Sequence, residues 1–155
     1  MAETAARRAK RGSPLTRSNL GFLLAKASQR WNELLSEQFT AAGFPEVRPS
    51  YGSILIPLFE EDGLRIGEVA RRARLSKQTL TTTVRLLERD GLVERRPDPA
   101  DGRASLLFLT PRARSFRPIA EQVLSELDKN VARLLTRRRT NELEQALAAL
   151  IEIEN

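Results

Sequence analysis

The chain has 155 residues, enough for one domain with its own hydrophobic core, and it carries a net charge of +6. It contains no cysteine and no histidine. These two absences exclude a thiol nucleophile, a histidine general base and an ordinary Cys/His zinc site. The composition therefore argues against an enzyme, and we expect no cofactor.

The basic side chains are concentrated in two parts of the chain. Residues 65–114 hold twelve basic and six acidic side chains, and residues 1–17 hold five basic and one acidic. Most of the basic residues are arginines, whose planar donor fork suits phosphates and guanine edges. A solvated basic face would also explain an excess of charge, but this uneven distribution favours a polyanionic partner, with nucleic acid first.

The first residues predict a flexible basic arm. Residues 1–15 are rich in alanine and arginine, show no periodicity and contain Gly12 and Pro14. Such an arm can add a DNA contact or simply be disordered. It has no apolar stretch for a secretory signal, and no run in the chain approaches the roughly 20 apolar residues of a membrane span. We therefore expect a cytoplasmic protein without a membrane partner.

The residues that follow predict two helices. Apolar side chains recur every three or four positions from about 18 to 42, which is typical of a long amphipathic helix, and Gly43 ends it. A proline-containing loop leads to a second helix that opens at Pro49 or Ser50. Pro57 lies inside that helix, removes one backbone donor and should kink or shorten it.

The middle of the chain predicts a helix-turn-helix followed by a β-hairpin. A short helix at 66–73 precedes a turn and a second helix at 77–90, which the Ser76 hydroxyl can cap and Gly91 can end. Two short strands then flank a stretch rich in Asp, Pro and Gly. Their predicted ranges are 92–96 and 104–109. We expect the connection between them to be longer than a tight turn.

Two helices are predicted at the C-terminal end. Thr110 and Pro111 are a strong helix start, and the apolar spacing continues for about 25 residues. The last helix has two possible starts. Thr136 could cap it, but the arginines at 137–139 would then oppose the helix dipole, which favours Thr140. The predicted fold is mainly α with a small β-hairpin wing (α+β): a winged helix-turn-helix core with terminal helices that form a dimerisation domain.

The two faces of the predicted helix at 77–90 differ in chemistry. One face carries Leu80, Thr83, Val84 and Leu87. The other face carries, at the same spacing, Gln78, Thr81, Thr82 and Arg85. No carboxylate interrupts this second face, and Gln, Arg and Thr can bind adenine, guanine and thymine edges. Three successive threonines lower helicity without structural benefit, which favours a DNA-reading helix over an ordinary solvated face.

Other residues of this region are suited to the DNA backbone and the minor groove. Ser76 and Lys77, at the N-terminal end of the helix, are placed to bind phosphate. An arginine on a narrow hairpin can enter a minor groove. The candidate hairpin residues are Arg95, Arg96, Asp101 and Arg103, where Asp101 could hold Arg103 in place. A plain polar turn would explain the same composition equally well.

The stretch from Leu64 to Arg112 resembles the winged helix-turn-helix core of the MarR family of bacterial transcriptional regulators. The segments LSKQT, LLERDGLVERRPDP and DGRASLLFLT are the most specific parts of this resemblance. It implies a homodimer on double-stranded DNA with a palindromic operator, with the helix at 77–90 in the major groove and the wing near the minor groove. It also implies DNA contacts by Gln78, Thr81, Thr82 and Arg85, and a wing-tip pair of Asp101 and Arg103.

Two positions depart from the family pattern. Gly102 stands where the family usually has a basic residue, which leaves Arg103 as the sole arginine of the wing tip. Arg65 precedes the short helix at a position where a Thr or Ser cap would be usual.

The sequence divides into four expected regions. These are the arm at 1–15, an N-terminal dimerisation helix and loop at 16–48, a winged helix-turn-helix DNA-binding domain at 49–112 and C-terminal dimerisation helices at 113–155. The apolar faces of the terminal helices support a dimer, because the winged core has little surface left to cover them. A dimer would place two DNA-reading helices about 34–36 Å apart, one turn of DNA. The alternative is a monomer in which these helices fold back on the core.

The resemblance also implies that a small aromatic or phenolic ligand can bind between the dimer helices and the core and release the DNA. The candidate pocket residues are Phe22, Trp31, Arg48 and Tyr51. Trp31 and Tyr51 also fit a role in the core. Without cysteine or histidine, thiol oxidation and His/Cys metal binding are excluded as signals. The acidic residues at 60–62 are typical of an exposed helix end rather than a metal site.

Two functions remain open from the sequence. The first is a sequence-specific regulator, a repressor that binds an inverted-repeat operator. The alternative is an architectural or nonspecific nucleic-acid-binding protein without effector control. Substitution of Gln78 or Arg85 separates them, because only the specific regulator would lose affinity for one palindrome while nonspecific binding survives.

Overall fold

The computed structural model describes residues 15–154, so the predicted arm at 1–15 lies almost wholly outside the described residues. The helices are α1 (Leu20–Ala41), a 3₁₀ turn (Pro49–Tyr51), α2 (Gly52–Glu60), α3 (Ile66–Ala73), α4 (Lys77–Arg89) and α5 (Pro111–Ile151). The strands are β1 (Leu64–Arg65), β2 (Val93–Asp98) and β3 (Asp101–Leu109). The chain is therefore mainly α with a small antiparallel sheet, as the sequence predicts.

The N-terminal helix α1 is capped at both ends by local interactions. The side chain of Asn19 accepts a hydrogen bond from the backbone N–H of Phe22 at 2.8 Å. The helix ends before Gly43, which has a φ of +88°. Only the C-terminal half of α1 is buried in the core, through Leu35 and Phe39. The ring of Phe39 packs edge-on against Phe116 of α5, with 4.8 Å between the ring centroids.

Helix α2 is short, as Pro57 leads us to expect. It begins after a 3₁₀ turn, spans nine residues and ends three residues beyond the proline. Its apolar side chains fill the centre of the molecule, where Ile54, Leu55 and Leu58 are almost inaccessible to solvent. Helix α2 packs against α3 and strand β3.

The helix-turn-helix has the boundaries that its capping residues predict. Arg74 takes the left-handed conformation with a φ of 51° and ends α3. The Ser76 hydroxyl then accepts a hydrogen bond from the backbone N–H of Thr79 at 3.2 Å and caps α4. At the other end Gly91, with a φ of +73°, ends α4 and turns the chain into β2.

The sheet differs from the prediction in two ways. It has three strands in the order β1-β3-β2, whereas the sequence predicts only the hairpin. The two residues of β1 are too few to show a periodic pattern. The expected connection longer than a tight turn is also wrong, because β2 continues to Asp98 and β3 begins at Asp101. The Asp98 carboxylate accepts a hydrogen bond from the backbone N–H of Ala100 at 2.9 Å and closes this two-residue turn.

The last two predicted helices form one element, α5, with a break at Thr136. This residue has a φ of 68° and a ψ of 153°, which separates the segments 111–135 and 137–151. The prediction that Thr140 caps the second segment is therefore wrong. The Thr140 hydroxyl instead donates to the carbonyl of Thr136 at 2.9 Å, inside the helix. The break at Thr136 lies four residues earlier than the charges of the arginines at 137–139 suggest.

One carboxylate fixes the sheet relative to the helices. Asp62, just after α2, accepts a hydrogen bond from the backbone N–H of Leu109 at 2.9 Å and forms an ion pair with Arg114 at 2.7 Å. The neighbouring Gly63 has a φ of +72°, and a Cβ there would lie 2.8 Å from the ring of Phe108. Asp62 therefore ties the end of α2 to both β3 and α5.

Tyr51 connects the start of α2 to the end of α4. Its side chain is fully buried, and its hydroxyl donates a hydrogen bond to Oδ2 of Asp90 at 2.5 Å. Burial raises the pKa of Tyr51 to about 12, and the hydrogen bond to Asp90 adds to the increase. Asp90 also forms an ion pair with Arg89, and this pair balances the negative charge of the Asp90 carboxylate while Tyr51 is neutral.

The chain has one tyrosine, so an absorbance titration of tyrosinate measures the pKa of Tyr51 alone. We expect a midpoint near pH 12 in the folded protein and near pH 10 in denaturant. Because the folded state holds the Tyr51 proton more tightly than the unfolded state, the raised pKa stabilises the folded protein. This stabilisation is complete below about pH 10 and is lost as the pH rises through about 12.

The variant Asp90→Asn provides the control for this titration. It should lower the folded midpoint but leave it above that of the unfolded chain, because burial is the larger cause of the shift. A folded wild-type protein that titrates near pH 10 would contradict the buried hydrogen bond.

Candidate nucleic-acid interface

Helix α4 separates an apolar face from a polar face. Leu80, Val84 and Leu87 are at most 1% exposed and pack in the core. The opposite face points to solvent, with exposed Gln78, Thr82 and Arg85 and half-buried Thr81. The four residues that the sequence predicts to contact DNA therefore lie on one outward stripe of α4.

The side chains of this stripe differ in how far they are already hydrogen-bonded. The hydroxyl of Thr81 donates to the carbonyl of Lys77 at 2.8 Å, which leaves its lone pairs and methyl group free to meet a partner. Within residues 15–154, the side chains of Lys77, Gln78 and Arg85 make no hydrogen bond or ion pair. Lys77 and Gln78 are thus unpaired at the N-terminal end of α4, where the helix dipole also favours an anion, and Arg85 is unpaired two turns further along the same face.

The two arginines after α4 are paired inside the protein. Arg95 forms a two-pronged ion pair with Glu88 of α4, with nitrogen–oxygen distances of 2.9 and 3.3 Å. Arg96 forms an ion pair with Glu94, and its guanidinium carbon lies 4.2 Å from the ring centroid of Phe108. Both residues therefore stabilise the stem of the hairpin.

The tip of the hairpin presents an unpaired arginine. Asp101, Gly102 and Arg103 are all exposed. Oδ1 of Asp101 accepts a hydrogen bond from the backbone N–H of Arg103 at 3.0 Å. The structure thus joins the predicted wing-tip pair through the backbone, while the Arg103 guanidinium has no partner within the described part of the chain.

A cavity of about 300 Å³ lies between α1, α2 and α5. Its wall is mostly apolar and aromatic, with Trp31, Leu35, Phe39, Phe59, Phe116 and Leu124. Its polar groups come from Asn32, Arg48 and Ser53. A larger groove of about 770 Å³ runs along the polar side of α1, but it is wide open to solvent.

The structure brings together two of the four predicted pocket residues. Trp31 and Arg48 line the cavity. Tyr51 is not part of its wall, because its side chain is buried against Asp90. Phe22 is exposed near the start of α1. Sequence reasoning missed the aromatic wall residues of α2 and α5, because their helical spacing looks the same as that of ordinary core residues.

The described residues hold neither a metal cluster nor a membrane-spanning helix. Residues 15–154 contain no group of three or more acidic side chains arranged to hold a metal ion. In the same range, no helix combines the length and the apolar composition that a membrane crossing requires.

Comparison with known proteins identifies similar sequences. A family model described as MarR family matches residues 58–104. The chain is 33% identical over 93 residues to the transcriptional repressor Rv2887 of Mycobacterium tuberculosis, a match that covers 60% of this chain and 67% of Rv2887. It is 38% identical over 64 residues to the transcriptional regulator TtmR of Methylorubrum extorquens, a match that covers 41% of this chain and only 33% of TtmR.

Solved structures share the fold. The PcaV transcriptional regulator from Streptomyces coelicolor, determined with its natural ligand, matches with a TM-score of 0.75 and 21% identity over 90% of this chain and 97% of PcaV. The transcriptional repressor CouR, bound to a 23-mer DNA duplex, matches with a TM-score of 0.74 and 24% identity over 90% of this chain and all of CouR. At these identities the likeness shows the fold alone.

Proposed function

The chain belongs to the MarR family of DNA-binding transcriptional regulators, and we propose that it is a repressor that binds an inverted-repeat operator as a homodimer. We further propose that a small aromatic ligand in the cavity between α1, α2 and α5 releases the DNA. The family consists of regulators rather than enzymes. The observation that carries the proposal is the outward stripe of α4, which has no carboxylate and adjoins a hairpin with a free arginine.

In the proposed complex α4 is the recognition helix and lies in the major groove. Gln78 binds adenine and Arg85 binds guanine through paired hydrogen bonds, and the threonine methyl groups at 81 and 82 contact thymine. Ser76 and Lys77 bind phosphates at the start of the helix. The wing places Arg103 at the minor groove. Arg95 and Arg96 support the stem and would reach phosphates only by giving up their ion pairs.

We expect Gln78→Ala and Arg85→Ala to weaken binding to an operator selected from random duplexes by about 1–3 kcal/mol each, because each removes a paired contact to one base. Their affinity for unrelated DNA should change little. Lys77→Ala should weaken binding to both kinds of DNA, because a phosphate contact carries no sequence information. Fluorescence anisotropy with labelled duplexes measures all three.

The matched control is Arg133→Ala, which removes a positive charge from α5 and should leave operator binding unchanged. If selection recovers no palindrome, or if Gln78→Ala and Arg85→Ala weaken binding to all DNA alike, the protein is an architectural or nonspecific DNA-binding protein.

The proposed dimer rests on apolar side chains that a single chain leaves exposed. On the N-terminal half of α1, Leu20, Leu23 and Leu24 are at least 37% exposed. On the second segment of α5, 137–151, the exposed apolar residues are Leu143, Leu147 and Ile151. Large apolar side chains clustered on exposed helix faces are typical of interaction surfaces, and a second copy of the chain would cover them.

We expect sedimentation to give twice the chain mass of 17.4 kDa at micromolar concentration. Leu143→Glu should weaken the dimer by roughly 100-fold or more, because two symmetry-related charges would enter an apolar interface. Ala100→Glu adds the same charge at the wing and should leave the mass unchanged. Circular dichroism checks that both variants keep their helices. A wild-type protein that sediments as a monomer would contradict the proposal.

The cavity suits a small planar ligand with one anionic group. Its volume of about 300 Å³ is at the lower end of the range for ligand sites, and its walls are aromatic. Arg48 supplies the only positive charge among the wall residues. A ring carboxylate would place its ring against Trp31 and its charge beside Arg48. The ligand-bound PcaV structure supports a ligand site in a protein of this fold.

Trp31 is the only tryptophan, so its fluorescence is the natural probe of this cavity. We expect 4-hydroxybenzoate to change this fluorescence saturably and to lower operator affinity. Arg48→Gln should weaken hydroxybenzoate binding by about tenfold, because a charge-assisted hydrogen bond is lost, but should leave the weaker binding of phenol unchanged.

Arg30→Gln is the matched control, because Arg30 lies on α1 outside the cavity wall. A saturable signal that is equal in wild type and Arg48→Gln would contradict the role of Arg48. The absence of any saturable signal would contradict an aromatic carboxylate as ligand.

A further inference from the structure

The tip of the wing lies beyond a break in the strand ladder. Pro97 pairs with Ser105, but the next residue of β2, Asp98, pairs with Asp101. The three residues at 102–104 therefore have no partner in β2, and Pro97 has no N–H to offer them. Arg103 is at the centre of this unpaired stretch, so the ladder alone does not fix its direction.

Asp98 joins this tip to a side chain outside the hairpin. Its carboxylate forms an ion pair with Nε of Arg65 at 2.6 Å, besides accepting the turn hydrogen bond from Ala100. Within residues 15–154, no other side-chain hydrogen bond or ion pair joins residues 98–103 to the body of the molecule. Asp98 is also the only buried charged residue in that range, with 6% of its surface exposed.

The electrostatics of Asp98 agree with this contact. The backbone N–H of Ala100 lowers the pKa of the Asp98 carboxyl, and the Arg65 guanidinium lowers it further. Asp98 is therefore charged at neutral pH, as its ion pair with Arg65 requires.

We propose that Asp98 and Arg65 form a clamp that positions Arg103 for the minor groove. Asp98 is thus a positioning residue for DNA binding, although it does not contact DNA itself. The clamp also accounts for both departures from the family pattern. Arg65, at the position of the usual capping residue, binds Asp98 instead of capping α3. Gly102 makes the backbone of the wing tip more flexible, so the direction of the tip depends on an anchor.

A double-mutant cycle on DNA affinity tests the clamp, and it rests on the proposed minor-groove role of Arg103. Asp98→Asn keeps an oxygen for the Ala100 N–H but removes the charge that holds Arg65. We expect Asp98→Asn and Arg103→Ala each to weaken operator binding by about tenfold, and the double variant to be no weaker than Arg103→Ala alone. With either single variant, hydroxyl-radical footprints should lose the minor-groove protection and keep the protection of the recognition-helix site.

Two further variants separate the clamp from a general loss of structure. Arg65→Gln removes the positive charge of the Asp98–Arg65 pair and should give the same non-additive result. Arg65→Lys keeps a positive charge there and should restore part of the affinity. Glu94→Gln removes a carboxylate from the wing stem and is the matched control, with effects that add to those of Arg103→Ala. Circular dichroism checks the fold of every variant.

The outcomes distinguish the clamp from the function on which it rests. If Asp98→Asn and Arg103→Ala are additive, or if Asp98→Asn leaves the affinity unchanged while Arg103→Ala lowers it, the clamp is wrong and the minor-groove role stands. If Arg103→Ala changes neither affinity nor footprint, the proposed role of the wing fails.

Discussion

The burial of one face of α4 determines where the polar side chains on its opposite face point. Leu80, Val84 and Leu87 are almost inaccessible to solvent, and each contributes about 1.5–3 kcal/mol when buried. A rotation of α4 about its axis would expose all three, so its orientation is fixed by the core. Gln78 and Arg85, on the opposite side, are therefore held outward although neither has a partner in the described part of the protein.

Three aspartates at the ends of elements then hold the remaining parts around α4. Asp90 ends α4 and accepts the hydrogen bond from Tyr51, which joins α4 to the start of α2, the helix that borders the cavity. Asp62 ends α2 and holds both β3 and α5. Asp98 ends β2 and holds Arg65 before α3. Each carboxylate satisfies backbone or side-chain donors that would otherwise be left unpaired where regular structure stops.

The features that the sequence predicted correctly are those with a local cause. Ser76 caps the start of α4 and Gly91 ends it, both where expected, because a capping side chain and a glycine in the left-handed conformation act within one helical turn. One of the failures has a nonlocal cause. Strand β1 exists only because Leu64 and Arg65 pair with β3, forty residues later in the chain. The tight wing turn depends on Asp98, and the break at Thr136 overrides the charge pattern of the arginines that follow it.

The sequence by itself determined the fold class, the limits of the helix-turn-helix and the division of α4 into a buried apolar face and an exposed polar face, because helical periodicity and capping are properties of neighbouring residues. Because the sequence has no cysteine and no histidine, it also determined that no thiol or imidazole side chain of this chain contributes to its function. Only the tertiary structure decided which aromatic residues enclose the cavity and what anchors the wing tip. Those arrangements bring together residues from distant elements, such as Trp31 with Phe116 and Arg65 with Asp98, and no local pattern records such a contact.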